Sequence, residues 1–539
     1  MARVRNLLLG LLLVLGALFC LADAALLAVR VGWPHARIIP GGSALARVEV
    51  AGVGEHVSAV RVLSAHGRSI PAHLGADLIE PGTKVRGGQR LRIEVTVSRS
   101  RWLGWLLGRT ERVTAVVRTP AARLETTLVH PIAGAPVTVR FSRPVKEITV
   151  RTAGGEREKL QLRVARRLVP LGIAAADENA AGTALVAGAP RSWERVPAAV
   201  RVSWFPAGPA PRVLVRPSPA DTLVPSQPIV LTFSRPVVEV LGHSRPLLKP
   251  RVPGVWREPN EHTLVFQPSG LGFPLGRRVH LRLPRTLQVI SGSDPTDEQT
   301  VTWQVPRGSL LRMKEMLADL GYLPLSWSAA DGRVPLTASA QVQAAVDPPE
   351  GTFSWRFPKT PAALKGLWAS SSGRPILVRG AIMAFQSAHG MTPDGFPSMT
   401  VFRALLRDEL ARRSARSGYT YVLVSETLPQ TLTLWHDGRV LLRTAVNTGI
   451  ESRPTALGTY PVYAHLASTT MSGINPDGTP YNDPGVPWVN YFNGGDAVHG
   501  FYRGSYGWPQ SLGCVEVPVP TAAEIFPYVN VGTLVTVTA

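Results

Sequence analysis

A nine-residue phrase that occurs twice constrains this chain more than any other feature. VTVRFSRPV at Val137–Val145 returns as IVLTFSRPV at Ile229–Val237, an offset of 92 residues. A fixed offset marks a duplicated module. Each copy alternates apolar and polar residues before a proline, which predicts a strand running into a turn. About one hundred residues is the size of an antiparallel β-sandwich. Runs of the same texture, ARVEV at Ala46–Val50, LRIEVTV at Leu91–Val97 and VTAVV at Val113–Val117, are set apart by turn residues drawn from 50 Gly and 48 Pro. The reading is three β-rich regions, 31–125, 126–210 and 211–306, within a multidomain, mainly β chain of 539 residues.

An apolar fraction of 45% and a charged fraction of 18% exclude a disordered chain. The net charge of +21 favours an anionic partner, and it is unevenly spread. From Tyr421 onward Arg439, Arg443, Arg453 and Arg503 stand against eight carboxylates, a net of −4, so the preceding chain carries +25. Electrostatic capture therefore belongs upstream. Nucleic acid is disfavoured as the partner, because the cations are dispersed through β-modules rather than gathered with aromatics on one face. No phosphate-binding GxxxxGKS loop is present.

Arg3 and Arg5 precede an apolar run from Leu7 to Val29 interrupted only by Asp23. As a helix it would cover about 35 Å, enough to span a bilayer. The expectation is a membrane anchor or signal segment over 1–30 and an extracytoplasmic location in the cell envelope, with secretion after cleavage at Ala22-Asp23-Ala24 as the alternative. The two cysteines, Cys20 in this run and Cys514 near the end, are not expected to pair.

SPADTLVPSQP (Ser218–Pro228) and TLVFQPSGLGFPLGRRVHLRL (Thr263–Leu283) resemble bacterial Ig-like modules of exported proteins, which implies spacer domains without a catalytic cluster. From Ser309 the period becomes helical, with Leu310, Met313, Leu317 and Leu320 ahead of Gly321. Helices are also predicted over Arg379–Ala388 and Met399–Leu410. Ala384-Phe385-Gln386 with Gly390, Asp394 and Gly395 resembles the peptidoglycan-binding three-helix module. That module is placed at 307–415, with an insertion at 326–377 that leaves the membership of its first helix open.

From Tyr419 strands return, in a β-rich region placed at 416–539, and the Gly-, Pro- and Asn-rich stretch from Ser468 to Pro487 reads as a loop that could cover a cleft. His499 and Cys514 follow, 15 residues apart, joined by a segment holding Gly500, Gly504, Gly507 and Pro509 that can return the chain on itself. An imidazole beside a thiol favours the thiolate, the form that attacks a carbonyl. Gly513 permits a sharp turn whose amides can donate to an oxyanion, and Ser511 can orient the imidazole through its hydroxyl or its carbonyl. His436 and His465 lack partners at metal-ligand spacing, so no metal site is expected.

HG, ten residues, then SLGCVEVP resembles the signature of the YkuD-type L,D-transpeptidases, as do RPTALGTYPV (Arg453–Val462) and VPWVNYFNGGDAVHG (Val486–Gly500). The resemblance implies a β-rich catalytic domain in which Cys514 is the nucleophile and His499 the base. Ser511, Leu512 and Gly513 form the turn that positions them. Gly500, Trp488, Tyr491 and Trp508 are candidates for the substrate cleft. It also implies peptidoglycan stem peptides as substrate, a thioester on the cysteine, release of D-alanine, transfer to an amine of a second stem, and no cofactor. Water in place of that amine would make an L,D-carboxypeptidase. Leu512 and Glu516 depart from the common pattern, which has His at the first position and Arg or Asn at the second, and a noncatalytic wall-binding scaffold is the rival reading. Anionic wall polymers are a further expected partner, through the basic upstream chain.

Overall fold

The computed structural model describes residues 10, 13–25, 36–51, 55–99, 108–132, 134–152, 155, 157–174, 181–291, 294–296, 299–369 and 375–539. Among them residues 13–25 are helical, and no helix is long and apolar enough to cross a membrane. The spanning helix read from Leu7–Val29 is therefore unsupported, and the flanks of that run lie outside the described residues.

The chain divides into two compact units, one holding Met1–Leu214 with two short later segments and the other holding most of the rest. In the first unit, a sheet ordered Arg37–Pro40, Ala46–Glu49, Leu78–Pro81, Ala72–Gly75 and a sheet ordered Ser69–Ile70, His56–Ser64, Arg90–Ser98, Thr110–Arg118 share one core. Leu91, Ile93, Val95 and Val97 alternate into that core, so the period-2 pattern of LRIEVTV does what it predicts. Leu128–Val129, Val200–Trp204, Gly182–Ala189, Pro136–Thr152 and Arg157–Ala174 instead form one five-stranded sheet around the long hairpin of the last two, while Glu194–Arg195 pairs in parallel with Val85–Arg86.

The repeated phrase folds two ways. Its first copy continues through FSRPV within Pro136–Thr152, with the register shifting between Arg140 and Val145. In the second copy the strand stops at Phe233 and the chain turns into the short helix Val237–Leu241. Proline lacks a ladder donor, so the same letters end a strand in one context and sit at a bulge in the other.

Between Ser309 and Arg412 the helices are α1 (Leu310–Asp319), α2 (Ala338–Val346), α3 (Ala362–Ala369), α4 (Ile376–Ala388) and α5 (Met399–Ala411). Ser309, Thr337 and Ser398 accept backbone N–H groups at the starts of α1, α2 and α5. The segment 326–377 does not displace α1: Met313, Met316 and Leu317 share a core with Leu364 from the insertion, Phe385 of α4 and Phe402 of α5. The AFQ motif is structural here. Gln386 Nε2 donates to Asp394 Oδ1 at 2.6 Å and its Oε1 accepts from Gly395 N at 2.8 Å, locking the loop between α4 and α5.

The strands after the helices are β1 (Thr420–Ser425), β2 (Thr431–His436), β3 (Arg439–Ala445), β4 (Gly458–Pro461), β5 (Ala464–Ile474), β6 (Pro480–Asn493), β7 (Asp496–Gly500), β8 (Val515–Val517) and β9 (Leu534–Thr538), with helix α6 (Val519–Ile525) before the last. They form two sheets, β3-β2-β1-β9-β4 and β5-β6-β7-β8. Val422, Val424, Leu432 and Leu434 of the first meet Phe492, Val498, Val515 and Val517 of the second in one core. On the other side of the first sheet, Tyr421, Trp435 and Leu534 enter the helical core. The helices and the first of these sheets are thus continuous packing, not beads on a linker. Gly380 of α4 and Gly532 sit so close that a Cβ on Gly532 would lie within contact-forbidding distance of the Gly380 carbonyl.

The stretch Ser468–Pro487, expected as a loop, is mostly paired. β5 and β6 run as a hairpin from Ala464↔Tyr491 out to Ile474↔Pro480, with a register shift between Thr469 and Met471. Its tip is closed by Asp477 Oδ1, which accepts from Thr479 N at 2.9 Å and Thr479 Oγ1 at 2.6 Å. Pro480 and Pro484 are tolerated because one begins the strand and the other falls at the shift.

Candidate active site

β7 and β8 are parallel, with Val498↔Val515, His499↔Glu516 and Gly500↔Val517 in register. Alternation sends Val498, Val515 and Val517 into the core and leaves His499 and Glu516 on the opposite face. Cys514, one residue before β8, falls opposite Ala497 on that same face. His499 is its diagonal neighbour, at a backbone spacing of roughly 7–8 Å that an imidazole can bridge. The ladder thus sets on one face, a diagonal step apart, the two residues that the sequence places 15 positions apart.

Their protonation states are set by burial. His499 is 2% exposed, and desolvation lowers its pKa from 6.5, opposed by the Gly500 carbonyl and by Glu516. Its Nδ1–H donates to Gly500 O at 3.0 Å, which leaves Nε2 as the basic nitrogen. Cys514 keeps partial solvent access, yet desolvation pushes its thiol up to about 12, with Asp496 and Glu516 adding to the shift and the Ala497 amide opposing it. The thiol points to Gly495 O at 3.6 Å. Sulfur and imidazole are therefore both neutral at rest.

Ser511 does not orient the imidazole. Its hydroxyl donates to Cys514 O at 2.5 Å and accepts from Gly513 N at 3.3 Å, so it braces the nucleophile's own turn. Gly513 has φ +117°, and a Cβ there would lie 2.6 Å from Asp496 Oδ1. Gly513→Ala is expected to shift Cys514 and reduce acyl transfer by about a hundredfold or more, read as single-turnover adduct formation by mass spectrometry. An unchanged rate would remove the turn from the machinery.

The other expected cleft residues separate. Gly500 is buried and makes room for α6, since a Cβ would stand 3.0 Å from Ala522 Cβ and 3.2 Å from Val519 Cα. Trp488, at φ +61°, packs its ring 5.0 Å from Phe526 and belongs to the core rather than the cleft. Tyr491 packs on the same small cluster as Cys514, Met471 and Phe501. Trp508 is 53% exposed.

Two features escaped the sequence reading. Asn447-Thr448-Gly449 runs behind the nucleophile turn: Thr448 O accepts from Gln510 N at 2.9 Å and Ser511 N at 3.0 Å, and Asn447 and Glu516 exchange backbone hydrogen bonds. Gln430 holds Thr448 through both its amide atoms, at 2.8 and 2.9 Å. The signal was a polar triplet ending in glycine after an alternating strand. The second is Arg503. Its Nε and an Nη meet the two Glu516 oxygens at 2.7 and 2.8 Å, and its guanidinium carbon lies 4.8 Å from the Phe501 ring centre. Glu516, read as a departure from the pattern, is half of a bidentate pair.

His465 Nδ1 bonds Asn490 Oδ1 at 2.7 Å and stacks on Phe526, and His436 bonds Thr420 Oγ1 at 2.9 Å. Among the described residues no group of three His, Cys, Asp or Glu side chains is arranged to hold a metal.

The YkuD family, described as the L,D-transpeptidase catalytic domain, matches residues 419–537. This segment is a YkuD-type L,D-transpeptidase catalytic domain. No curated protein matches the chain. Among solved structures, the catalytic domain of the Enterococcus faecium L,D-transpeptidase is 30% identical over 22% of this chain and 96% of its own, with a TM-score of 0.21. An L,D-transpeptidase from Mycobacterium smegmatis is 14% identical over 62% of this chain and 100% of its own (TM-score 0.20). L,D-transpeptidase 3 from Mycobacterium tuberculosis is 13% identical over 60% of this chain and 97% of its own (TM-score 0.21). The transpeptidase domain spans both sheets and α6, so the ladder carrying Cys514 and His499 lies wholly inside the matched segment.

Proposed function

We propose that the chain is an extracytoplasmic peptidoglycan L,D-transpeptidase that works through a Cys514 thioester. The observation that supports this reading is the β7–β8 ladder, which puts Cys514 on the same face as an imidazole whose Nδ1 is tied to Gly500 and whose Nε2 is left basic. Because both groups rest neutral, the proton leaves Sγ for Nε2 as sulfur closes on the carbonyl carbon at the L-centre of a stem tetrapeptide. The carbon–nitrogen bond to the terminal D-alanine then breaks, and the imidazolium proton goes to the leaving amine. An amine of a second stem attacks the thioester, the carbon–sulfur bond breaks, and the sulfur is reprotonated. The Gly513 amide is turned to Ser511, so oxyanion donation falls to the Cys514 amide. Arg503, fixed by Glu516, supplies the cation that faces the donor's carboxylate. The basic upstream chain would hold the domain at the wall, with the N-terminal apolar run either kept as an anchor or removed by cleavage.

The test is incubation of the full chain with a disaccharide tetrapeptide. D-alanine release, an adduct on Cys514 and a crosslinked dimer are expected. No release overturns the reading, and tripeptide alone replaces the amine by water. Because burial holds the imidazole below 6.5, protonation should suppress acylation only under acid conditions. kcat/KM should rise to a plateau with a midpoint below 6.5 and stay flat through pH 9, well short of the thiol's own titration near 12. A midpoint above 7 would remove His499 as the base.

A further inference from the structure

Away from the transpeptidase domain, a cleft of about 930 Å³ opens between the β-module at 211–306 and helix α5. One wall carries Lys249, Arg251, Arg277 and Arg278, the other Arg403 and Arg407. All six are exposed, no Asp or Glu lines the cleft, and none of the six forms an ion pair among the described residues. The floor is apolar, built on Phe273, Leu275 and Leu406. Like charges crowded in a concavity repel one another and raise the local potential by focusing the field. Nothing in acyl transfer at Cys514 uses them. They are a localised part of the excess that leaves the chain before Tyr421 at +25.

We propose that this cleft binds a flexible polyanion of phosphodiester-linked polyol units, a wall polymer rather than a stem peptide. Arg403 and Arg407 stand one helical turn apart, which spaces them by about 6 Å, close to successive phosphates joined by a three-carbon unit. Two cationic walls about an apolar floor fit a strand that carries charge at its edges and carbon between. A nucleic acid would ask for open rings to stack its bases, and of the two rings in the lining Phe273 is fully buried and His280 is half-buried and tied to Thr302 Oγ1 at 2.9 Å. A bilayer would ask for a flat or protruding patch, and this one is recessed. The cleft would hold the enzyme on the wall while the transpeptidase domain works. The choice of a wall polymer rests on the function proposed above, and the cationic cleft itself does not.

The experiment uses the full chain and a fluorescent 1,3-linked poly(glycerol phosphate) octamer, with anisotropy read at 50, 100 and 200 mM salt. Wild type should bind with strong salt dependence. The triple variant Arg251→Ser/Arg403→Ser/Arg407→Ser, on exposed positions, should bind at least about tenfold more weakly, with the salt slope reduced by about two to three. Its D-alanine release from a soluble tetrapeptide should match wild type. Arg439→Ser/Arg443→Ser, in β3, should leave binding unchanged. Equal binding by the triple variant and wild type overturns the proposal. So does equal or tighter binding of a single-stranded DNA octamer, or of vesicles containing phosphatidylglycerol. Binding lost with acyl transfer intact supports the cleft independently of the catalytic reading, and binding retained by a chain that releases no D-alanine overturns only the catalytic reading.

Discussion

Cys514→Ala is expected to keep the fold and lose acyl transfer altogether. The side chain is small and partly exposed, and its removal leaves the turn braced by Ser511 to the Cys514 carbonyl, a backbone contact that alanine retains. The stability change should stay below about 1 kcal/mol. Chemistry is another matter, since no other nucleophile stands on the β7–β8 face. Cys514→Ser keeps a hydrogen-bonding atom near the Gly495 carbonyl but asks the neutral imidazole to deprotonate an alcohol, so adduct formation should fall by at least about a thousandfold. His499→Ala should slow acylation by about a hundredfold or more. Because the two act as one unit, Cys514→Ala/His499→Ala should be no worse than Cys514→Ala alone. Melting temperature, D-alanine release and adduct mass on the same four preparations check all of this. Residual release by Cys514→Ala at the wild-type rate would sink the nucleophile assignment.

The candidate site was legible because its residues are tied to local grammar. A glycine before the cysteine, a serine two before that, and a histidine one β-return upstream are short-range facts, and parallel pairing of β7 with β8 turns them into one face. What the letters hid was set by partners remote in sequence. Ser511 looked like an orienter for the imidazole, but the Gly500 carbonyl is adjacent to His499 and reaches Nδ1 first. Glu516 looked anomalous until Arg503, from the joining segment, closed on it. The hairpin at 464–493 was hidden because Gly478 and Pro480, at its tip, and Pro484 and Gly485, at its register shift, are residues that usually punctuate loops. The repeated FSRPV folds as strand in one module and strand-then-helix in the other, since ladder partners decide where proline can sit. The core shared by α1, α4, α5 and the outer face of β1–β2 was equally invisible, because amphipathic helices and strands say which face is buried but not against what.

Arg503 and Glu516 give a second large effect, whose sign depends on which partner is removed. Both act on His499, whose pKa burial lowers: Glu516 raises it and Arg503 lowers it further, while Asp483 from the β5–β6 hairpin adds to the rise. Arg503→Ala leaves Glu516, 4% exposed, beside the imidazole without its bidentate partner. The acid limb of the kcat/KM profile should then move to higher pH, because the imidazolium gains an unshielded carboxylate. Glu516→Gln leaves the guanidinium and removes the anion, so the limb should move to lower pH. The stability losses are also unequal. An uncompensated buried carboxylate is the more severe defect, and with Arg503 itself partly solvated the expected loss for Arg503→Ala is about 1–3 kcal/mol. Glu516→Gln keeps hydrogen-bond capacity and should lose less. If Arg503 also faces the donor's carboxylate, Arg503→Ala should raise KM for the tetrapeptide more than it lowers kcat, and Arg503→Lys should recover only part of it, because an ammonium cannot hold Glu516 with two parallel bonds. A purely structural pair would shift both pH profiles the same way or not at all. Opposite displacements, measured on variants matched for melting temperature, are therefore the outcome that assigns the pair to the site.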